Sequence, residues 1–311
     1  MKKAKISIVI PVYNSSLNLK NLIDSLYLVL KDNFTTYEVV LVDDMSTDDS
    51  WNVISELSMT YNWIKAIRLR LNIGQHNAIQ TGLYYTTGDL IVTMDDDGQN
   101  SSKDIILLVD KLEKQYEVCY ADYPIKKHSI LRKFFSSLNN LIVSFLFNKP
   151  YDLKLTSFRC FTSQIKNELL RNKSPSVYLD GLIISITRNI TSVTVEHNER
   201  KYGKSNYTFI KLFSLWLQMF TGFSVKPLRL ASILGIIFSL TSFLVTFWLV
   251  FFRSPSSDVP MGWTSIIVVV IFFGGIQLLA LGLIGEYLGR TYLTVNNQSY
   301  NSIKEKINLK D

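Results

Sequence analysis

Two stretches that hold no charged side chain, residues 230–252 and 261–285, restrict this chain more than any other feature. At about 23 and about 25 residues, each is long enough to cross a ~30 Å hydrocarbon core as a helix, whereas apolar runs in buried core helices are nearer about 10 to 14. Trp248 and Trp263 stand close to the run ends, where interfacial aromatic rings belong. The connection 253–260 has room only for a turn, so spans over 230–252 and 262–285 are expected to form an antiparallel hairpin. Lys226 and Arg229 precede the first span, and Arg290, Lys304, Lys306 and Lys310 follow the second, against Arg253 in the turn. That asymmetry places both termini on the cytoplasmic side. Met1-Lys2-Lys3 leads directly into a strand-like run, so no signal peptide is expected.

The remaining chain is long enough for a further domain. Cys119 and Cys160 are the only cysteines, which excludes a disulfide scaffold and suits a reducing compartment. Lys and Arg number 33 against 26 Asp and Glu, a formal charge of +7. The cations gather beside the apolar segments and no nucleic-acid motif accompanies them, so a bilayer surface is the expected partner rather than nucleic acid. His76, His128 and His197 are too scattered for a zinc set.

From residue 5 onward, β-rich runs at 6–10, 38–42, 64–69, 90–94 and 117–121 alternate with amphipathic segments such as 17–30 and 50–57. That rhythm predicts an α/β domain with a mostly parallel, Rossmann-like sheet. Ligands of such sheets bind beyond the carboxyl ends of the strands. Pro11-Val12-Tyr13-Asn14, Asp43-Asp44 and Asp95-Asp96-Asp97-Gly98-Gln99 stand there. Three successive carboxylates repel one another unless a cation sits among them. Asp95 and Asp97, one residue apart, can face the same side of the turn and share a hard divalent ion, with Gln99 adding a carbonyl oxygen. The competing reading is a solvated turn in which Asp serves local hydrogen bonding.

These segments, in order, carry a resemblance. Pro11-Val12-Tyr13-Asn14, Asp43-Asp44-x-Ser46-Thr47-Asp48, residues 72–78, Asp95-Asp96-Asp97-Gly98-Gln99, Arg200-x-x-Gly203-x-Ser205-x-Tyr207 and the membrane hairpin resemble the family 2 glycosyltransferases. Within them the chain is most similar to the polyprenyl-phosphate branch, which includes dolichol-phosphate mannose synthase and bacterial undecaprenyl-phosphate transferases. Asn100-Ser101-Ser102 and Met45 depart from the family pattern, at loop positions where Pro and Gly are common.

The resemblance implies a GT-A type domain over residues 1–205, a juxtamembrane helix at 206–225, the hairpin at 230–285 and a cytoplasmic tail at 286–311. It implies a nucleotide-sugar donor whose base and ribose lie against Pro11, Tyr13 and Asn14, with Asp43 accepting from the base and Asp44 near the ribose. Asp95, Asp97 and Gln99 would hold Mg²⁺ or Mn²⁺ against the diphosphate, with Asp96 beside the donor. Gly74, Gly82 and Gly88 are expected to serve turns and close packing. Asp180 lies roughly where many family members carry a catalytic base, but the usual Glu-Asp pair is missing and a structural role is favoured.

Residues 130–147 and 207–223 show apolar stripes at helical spacing with cationic rims, as expected of helices lying in a bilayer interface. By resemblance, Ser129 and Arg132 capture the phosphate of a polyprenyl phosphate, and Arg200, Lys204 and Ser205 close over both phosphates. Arg200 counts with Asp95 and Asp97 as catalytic. The implied activity is inverting transfer of one sugar, from a UDP-sugar in preference to a GDP-sugar, to undecaprenyl phosphate at the inner membrane, for modification of envelope glycans. A processive synthase is disfavoured because no Q-x-x-R-W occurs, and an inactive scaffold because the proposed ligands are intact. Gly274, Gly275, Gly282 and Gly285 permit close helix approach, within the hairpin or between protomers of a homo-oligomer.

Overall fold

The structure is a computed structural model, and it describes residues 5–123, 153–171, 178–195, 262–295 and 302–309, with isolated helical positions between 233 and 244. The chain divides into two units, Met1–Lys211 with Asn297–Asp311, and Leu212–Asn296.

In the first unit, strands β1 (Ile6–Val12), β2 (Tyr37–Asp43), β3 (Ile64–Leu69) and β4 (Leu90–Thr93) alternate with helices α1 (Ser16–Asn33), α2 (Ser50–Thr60) and α3 (Gln75–Leu83). There follow α4 (Asp104–Leu112), β5 (Val118–Asp122), β6 (Arg159–Thr162), α5 (Ser163–Arg171), α6 (Leu179–Ile186), β7 (Ile190–Thr194) and, far along the chain, β8 (Ile303–Ile307). The eight strands form one sheet in the order β7-β5-β6-β4-β1-β2-β3-β8. Strands β1 to β4 are parallel, β7 runs parallel to β5, and β6 and β8 are antiparallel to their neighbours. The expected mostly parallel α/β sheet is present.

Side chains alternate across a strand, so each strand feeds two layers. Ile6, Ile8 and Ile10 of β1, Val39 and Leu41 of β2, and Val92 of β4 join one apolar core with α1, α2 and α4. Helix α1 docks there through Leu19, Leu22, Ile23, Leu26 and Leu30, a stripe at three- and four-residue steps. The opposite layer is different in kind. Val9 and Val42 receive α3 so closely that a Cβ on Gly82 would lie 2.6 Å from Val9 Cγ1. Beside them run buried polar groups: Ser7 donates to Glu38 at 2.5 Å, and Glu38 also pairs with Lys65 at 2.7 Å. Gly88 N–H donates to Ser7 Oγ at 2.8 Å, where a Cβ would lie 2.7 Å from the Ser7 backbone nitrogen. Gly82 and Gly88 are thus packing glycines, and Gly74, at φ +83°, serves a turn.

Two boundaries differ from the sequence reading. Helix α7 (Trp263–Val295) continues past the uncharged run and takes in Glu286 and Arg290. The supposed tail ends as β8, antiparallel to β3. Glu305 of β8 accepts from Trp51 Nε1 at 3.1 Å, and Asn308 Nδ2 donates to the carbonyls of Ser58 and Ile64. Its alternating Ile-Lys-Glu-Lys-Ile pattern buries only one side of a sheet edge, and a charged edge resists further pairing.

Within the second unit, α7 contains an apolar window, Phe272–Gly289, with mean hydropathy 1.4 and none of it buried by protein. Among the described residues it is the one helix long and apolar enough to cross a membrane. Ile266, Val270, Leu278 and Leu288 are exposed. In the first uncharged run the described positions Ile233, Ile237, Leu240 and Leu244 are helical and exposed as well. The remainder of that run, and the helices expected at 129–147 and 206–225, lie outside the described residues.

Candidate active site

Strands β1 and β4 lie side by side, yet the chain leaves β1 towards β2 on one flank and reaches β4 on the other. Such a reversal of strand order opens a crevice beyond the carboxyl ends of the two strands. The segments ending β1 and β4 are the ones singled out from sequence. Tyr13 N–H donates to Asp96 Oδ2 at 3.1 Å, and Ser15 Oγ donates to the Asp96 carbonyl at 3.3 Å. Asn14 Oδ1 receives Thr47 N–H at 2.8 Å, drawing in the loop after β2. Asn14 and Met45 hold positive φ of 53° and 60°, so this junction stores backbone strain. Tyr13 is 42% exposed, its ring free to meet a ligand.

Asp95 is held on both oxygens: Gln75 Nε2 donates to Oδ1 at 2.6 Å, and Ser157 Oγ donates to Oδ2. Burial raises its pKa, with the Ser157 bond opposing and the charge of Asp97 adding to the rise. Asp96 is pushed up to about 7, by burial first, against the Tyr13 N–H, with Asp95 and Asp97 adding to it. Asp97 accepts from Gln99 N–H at 3.0 Å across a turn completed by Gly98 at φ +73°. Three carboxylates thus crowd one strand end, where burial first and neighbouring charge second disfavour the ionised forms of Asp95 and Asp96. A carboxylate oxygen that accepts one hydrogen bond keeps a further lone-pair site, so Asp95 and Asp97 can still bind a cation. Their hard oxygen donors, with the Gln99 carbonyl, suit Mg²⁺ or Mn²⁺. Among the described residues no three His, Cys, Asp or Glu side chains are gathered into a metal cage. A cation here would need oxygens from the ligand.

Asp43 and Asp44 hold loops together. Asp43 has no exposed surface, accepts from Ser46 N–H at 3.0 Å and pairs with Arg68 at 3.3 Å. Its Oδ2 faces Arg68 but takes no hydrogen bond, so an acceptor site is left on that oxygen. Asp44 accepts from the N–H groups of Ile73 and Gly74 at 2.8 and 2.9 Å, fixing the turn that begins α3. Burial nevertheless raises its pKa, with Asp43 contributing.

One residue was not foreseen. Arg159 is fully buried, opposite Thr93 in the β4–β6 register and two residues from Ser157. Its Nε donates to Thr93 Oγ1 at 3.1 Å, its Nη1 pairs with Asp180, and Tyr120 OH donates to the same Asp180 oxygen at 2.9 Å. A charge inside the apolar run Phe158-Arg159-Cys160-Phe161 was the available signal, since an unpaired buried guanidinium is costly. Asp180, at the start of α6, is thus 6% exposed and engaged as Arg159's counter-ion.

The sequence profile of glycosyl transferase family 2 matches residues 7–171, more than half of the chain. The chain belongs to glycosyl transferase family 2. Over 98% of its length, and 95% of the relative's, this family 2 protein is 31% identical to the undecaprenyl-phosphate 4-deoxy-4-formamido-L-arabinose transferase of Proteus mirabilis strain HI4320. Its fold is similar to that of glucosyl-3-phosphoglycerate synthase from Mycobacterium tuberculosis, solved with Mn²⁺, UDP and glucosyl-3-phosphoglycerate. There the TM-score is 0.53 at 17% identity, covering 70% of this chain and 78% of the other. A second structure of that synthase, with Mn²⁺ and UDP-glucose, gives a TM-score of 0.53 at 16% identity, covering 70% and 77%. The GT-A-like fold expected of a family 2 glycosyl transferase is present.

The structure brings Tyr13, Asn14, Asp95, Asp96, Asp97 and Gln99 of this family 2 protein to one crevice, with Pro11 buried at its base. Ser129, Arg132, Arg200, Lys204 and Ser205, the expected phosphate-binding residues, lie outside the described residues.

Proposed function

We propose that this family 2 glycosyl transferase moves one sugar from a UDP-sugar to undecaprenyl phosphate on the cytoplasmic leaflet of the inner membrane, making a lipid-linked sugar for envelope modification. The Asp95–Asp97 carboxylate pair at the strand-order reversal carries the reading, since it offers a cation to a diphosphate in the crevice of a family 2 fold. The acceptor follows from the end-to-end likeness to a relative that acts on undecaprenyl phosphate.

In this reading the nucleoside lies against Pro11, Tyr13 and Asn14, with Asp43 and Asp44 beneath it and Asp96 tying its two loops together. Asp95, Asp97 and Gln99 would hold Mg²⁺ or Mn²⁺, which would supply neutralisation of charge on the leaving diphosphate. Gln75 and Ser157 keep the Asp95 carboxylate in one orientation. The acceptor phosphate, with a second pKa near ~6, is mostly dianionic at neutral pH and attacks the anomeric carbon without a general base. That leaves Asp180 free to serve Arg159. Ser129 and Arg132 receive the acceptor phosphate, with Arg200, Lys204 and Ser205 closing over both phosphate groups. Single displacement inverts the anomeric centre.

Strand β8 supports the two-span topology. If α7 crosses the bilayer once, the chain must cross once more before it for residues 303–307 to return to the sheet of β3. The uncharged run 230–252 is the segment suited to that crossing, which leaves the catalytic unit and both termini cytoplasmic. Gly274, Gly275, Gly282 and Gly285 leave α7 room for a close helix partner, in the hairpin or in a second protomer.

The test is a transfer assay with purified full-length protein, Mn²⁺, undecaprenyl phosphate and a panel of UDP- and GDP-sugars, reading lipid-linked product by mass. Metal-dependent product from a UDP-sugar is expected. Transfer only to a soluble acceptor, or no Mn²⁺-dependent binding of UDP, would overturn the reading.

A further inference from the structure

The layer of the sheet that faces α3 and α6 contains two polar atoms with no partner, and both belong to one cluster. Arg159 Nη2 is buried and unpaired although Nε and Nη1 of the same guanidinium are both engaged. His76 Nδ1, in the first turn of α3, is likewise sealed from water and unpaired, its ring edge-on to Tyr178 at 5.2 Å. His76 and Asp95 both feel the charge of Arg159, which places the cluster beside the carboxylate end of the crevice. Ser157, two residues before Arg159 on the same face, touches Asp95 directly. A buried unsatisfied polar atom is costly, and two in one place beside a crevice mark where a ligand completes the set.

We propose that Arg159 and His76 form the floor of the donor site that reads the transferred sugar, taking a neutral oxygen-bearing substituent, a hydroxyl or an amide carbonyl. The inference rests on the donor reading above and names the sugar class it accepts. Arg159 only donates, so the substituent must present an acceptor oxygen. Asp180 already neutralises Arg159, so the pair offers no net positive charge to a carboxylate on the sugar, and a neutral acceptor oxygen suits it better. Burial holds the His76 pKa down to about 4, which keeps the ring neutral and leaves one nitrogen to accept or donate. Asp180, Thr93 and Tyr120 are positioning residues that hold the guanidinium plane.

The test uses full-length Arg159→Lys and His76→Phe. Lysine keeps the charge opposite Asp180 but has no second arm of a fork, so the fold survives while the sugar contact is lost. Calorimetry with UDP and Mn²⁺ is expected to give dissociation constants within about twofold of wild type, while kcat/KM for the transferred UDP-sugar falls about ten- to a hundredfold. One monodeoxy or deamidated donor should lose a similar factor with the wild-type protein and little more with Arg159→Lys. Equal losses for every truncated donor in both proteins, UDP binding that weakens in step with kcat/KM, or preferred transfer of a uronic acid would each overturn the assignment. If the wild-type protein neither binds UDP with Mn²⁺ nor transfers any sugar, the donor reading itself fails and this inference with it.

Discussion

Gln75 Nε2 donates to Asp95 Oδ1 at 2.6 Å, so the first residue of α3 sets the orientation of the acidic residue that ends β4. The arrangement matches the way outer partners fix metal-binding carboxylates, whose removal costs about 10- to 100-fold in affinity. Gln75→Ala should weaken Mn²⁺ binding in the presence of UDP by about tenfold at the least, read by calorimetry. Unchanged affinity would remove Gln75 from the site.

Asp97→Ala should abolish transfer, by about a hundredfold or more, because it deletes one of two carboxylates available to the cation. Its bond to Gln99 N–H is local to the turn, and the protein should still fold and insert into membranes. Full activity in this variant would refute the metal assignment.

Met45 occupies a left-handed position, φ +60°, and its side chain is 44% exposed. A non-glycine residue there costs about 1–2 kcal/mol, while a glycine costs entropy in the unfolded chain. Met45→Gly should therefore raise stability by up to about 1 kcal/mol, seen as a higher melting temperature. Gly88→Ala should do the reverse by about 2 kcal/mol or more, since the new methyl meets the Ser7 backbone. Equal melting temperatures for both variants would show that neither constraint matters.

Much of this was legible beforehand, and the reasons are physical. Strands β1, β2 and β4 are covered on both faces and carry long apolar runs, so their positions and the polar and acidic residues ending them stood out. Strands β6, β7 and β8 did not. Arg159 interrupts the apolar pattern of β6, β7 is only half-buried, and β8 is an edge strand whose charges mimic a solvated tail. The sequence marked Asp43 at a strand end but not its partnership with Arg68, which depends on the β2–β3 register. Pairing between distant side chains is a product of topology, and composition does not encode it locally.

The His76 pKa predicts a pH dependence with a definite sign. Burial depresses it from 6.5 to about 4, with Arg159 acting in the same direction and Asp180 opposing. In the unfolded chain the imidazole takes up its proton near ~6.5, so between that pH and about 4 the unfolded state binds more protons. Stability contributed by the neutral ring is present above about pH 6.5 and is lost as pH falls through the window. His76→Phe should therefore lose less melting temperature than wild type between about pH 7 and about pH 5. Parallel losses would mean that the ring titrates normally in the fold.

The C-terminal strand gives the protein an order of assembly. A ribosome makes β8 only after β3 and the whole of α7, so the edge of β3 stays open throughout synthesis of the apolar segments. Open strand edges invite pairing with other chains. Trp51, Ser58 and Ile64, which wait for Glu305 and Asn308, gain those partners only after α7 has been made. Closure of the catalytic sheet thereby waits until the apolar segments have been made, and a chain cut short within them is left with an unfinished and adhesive border.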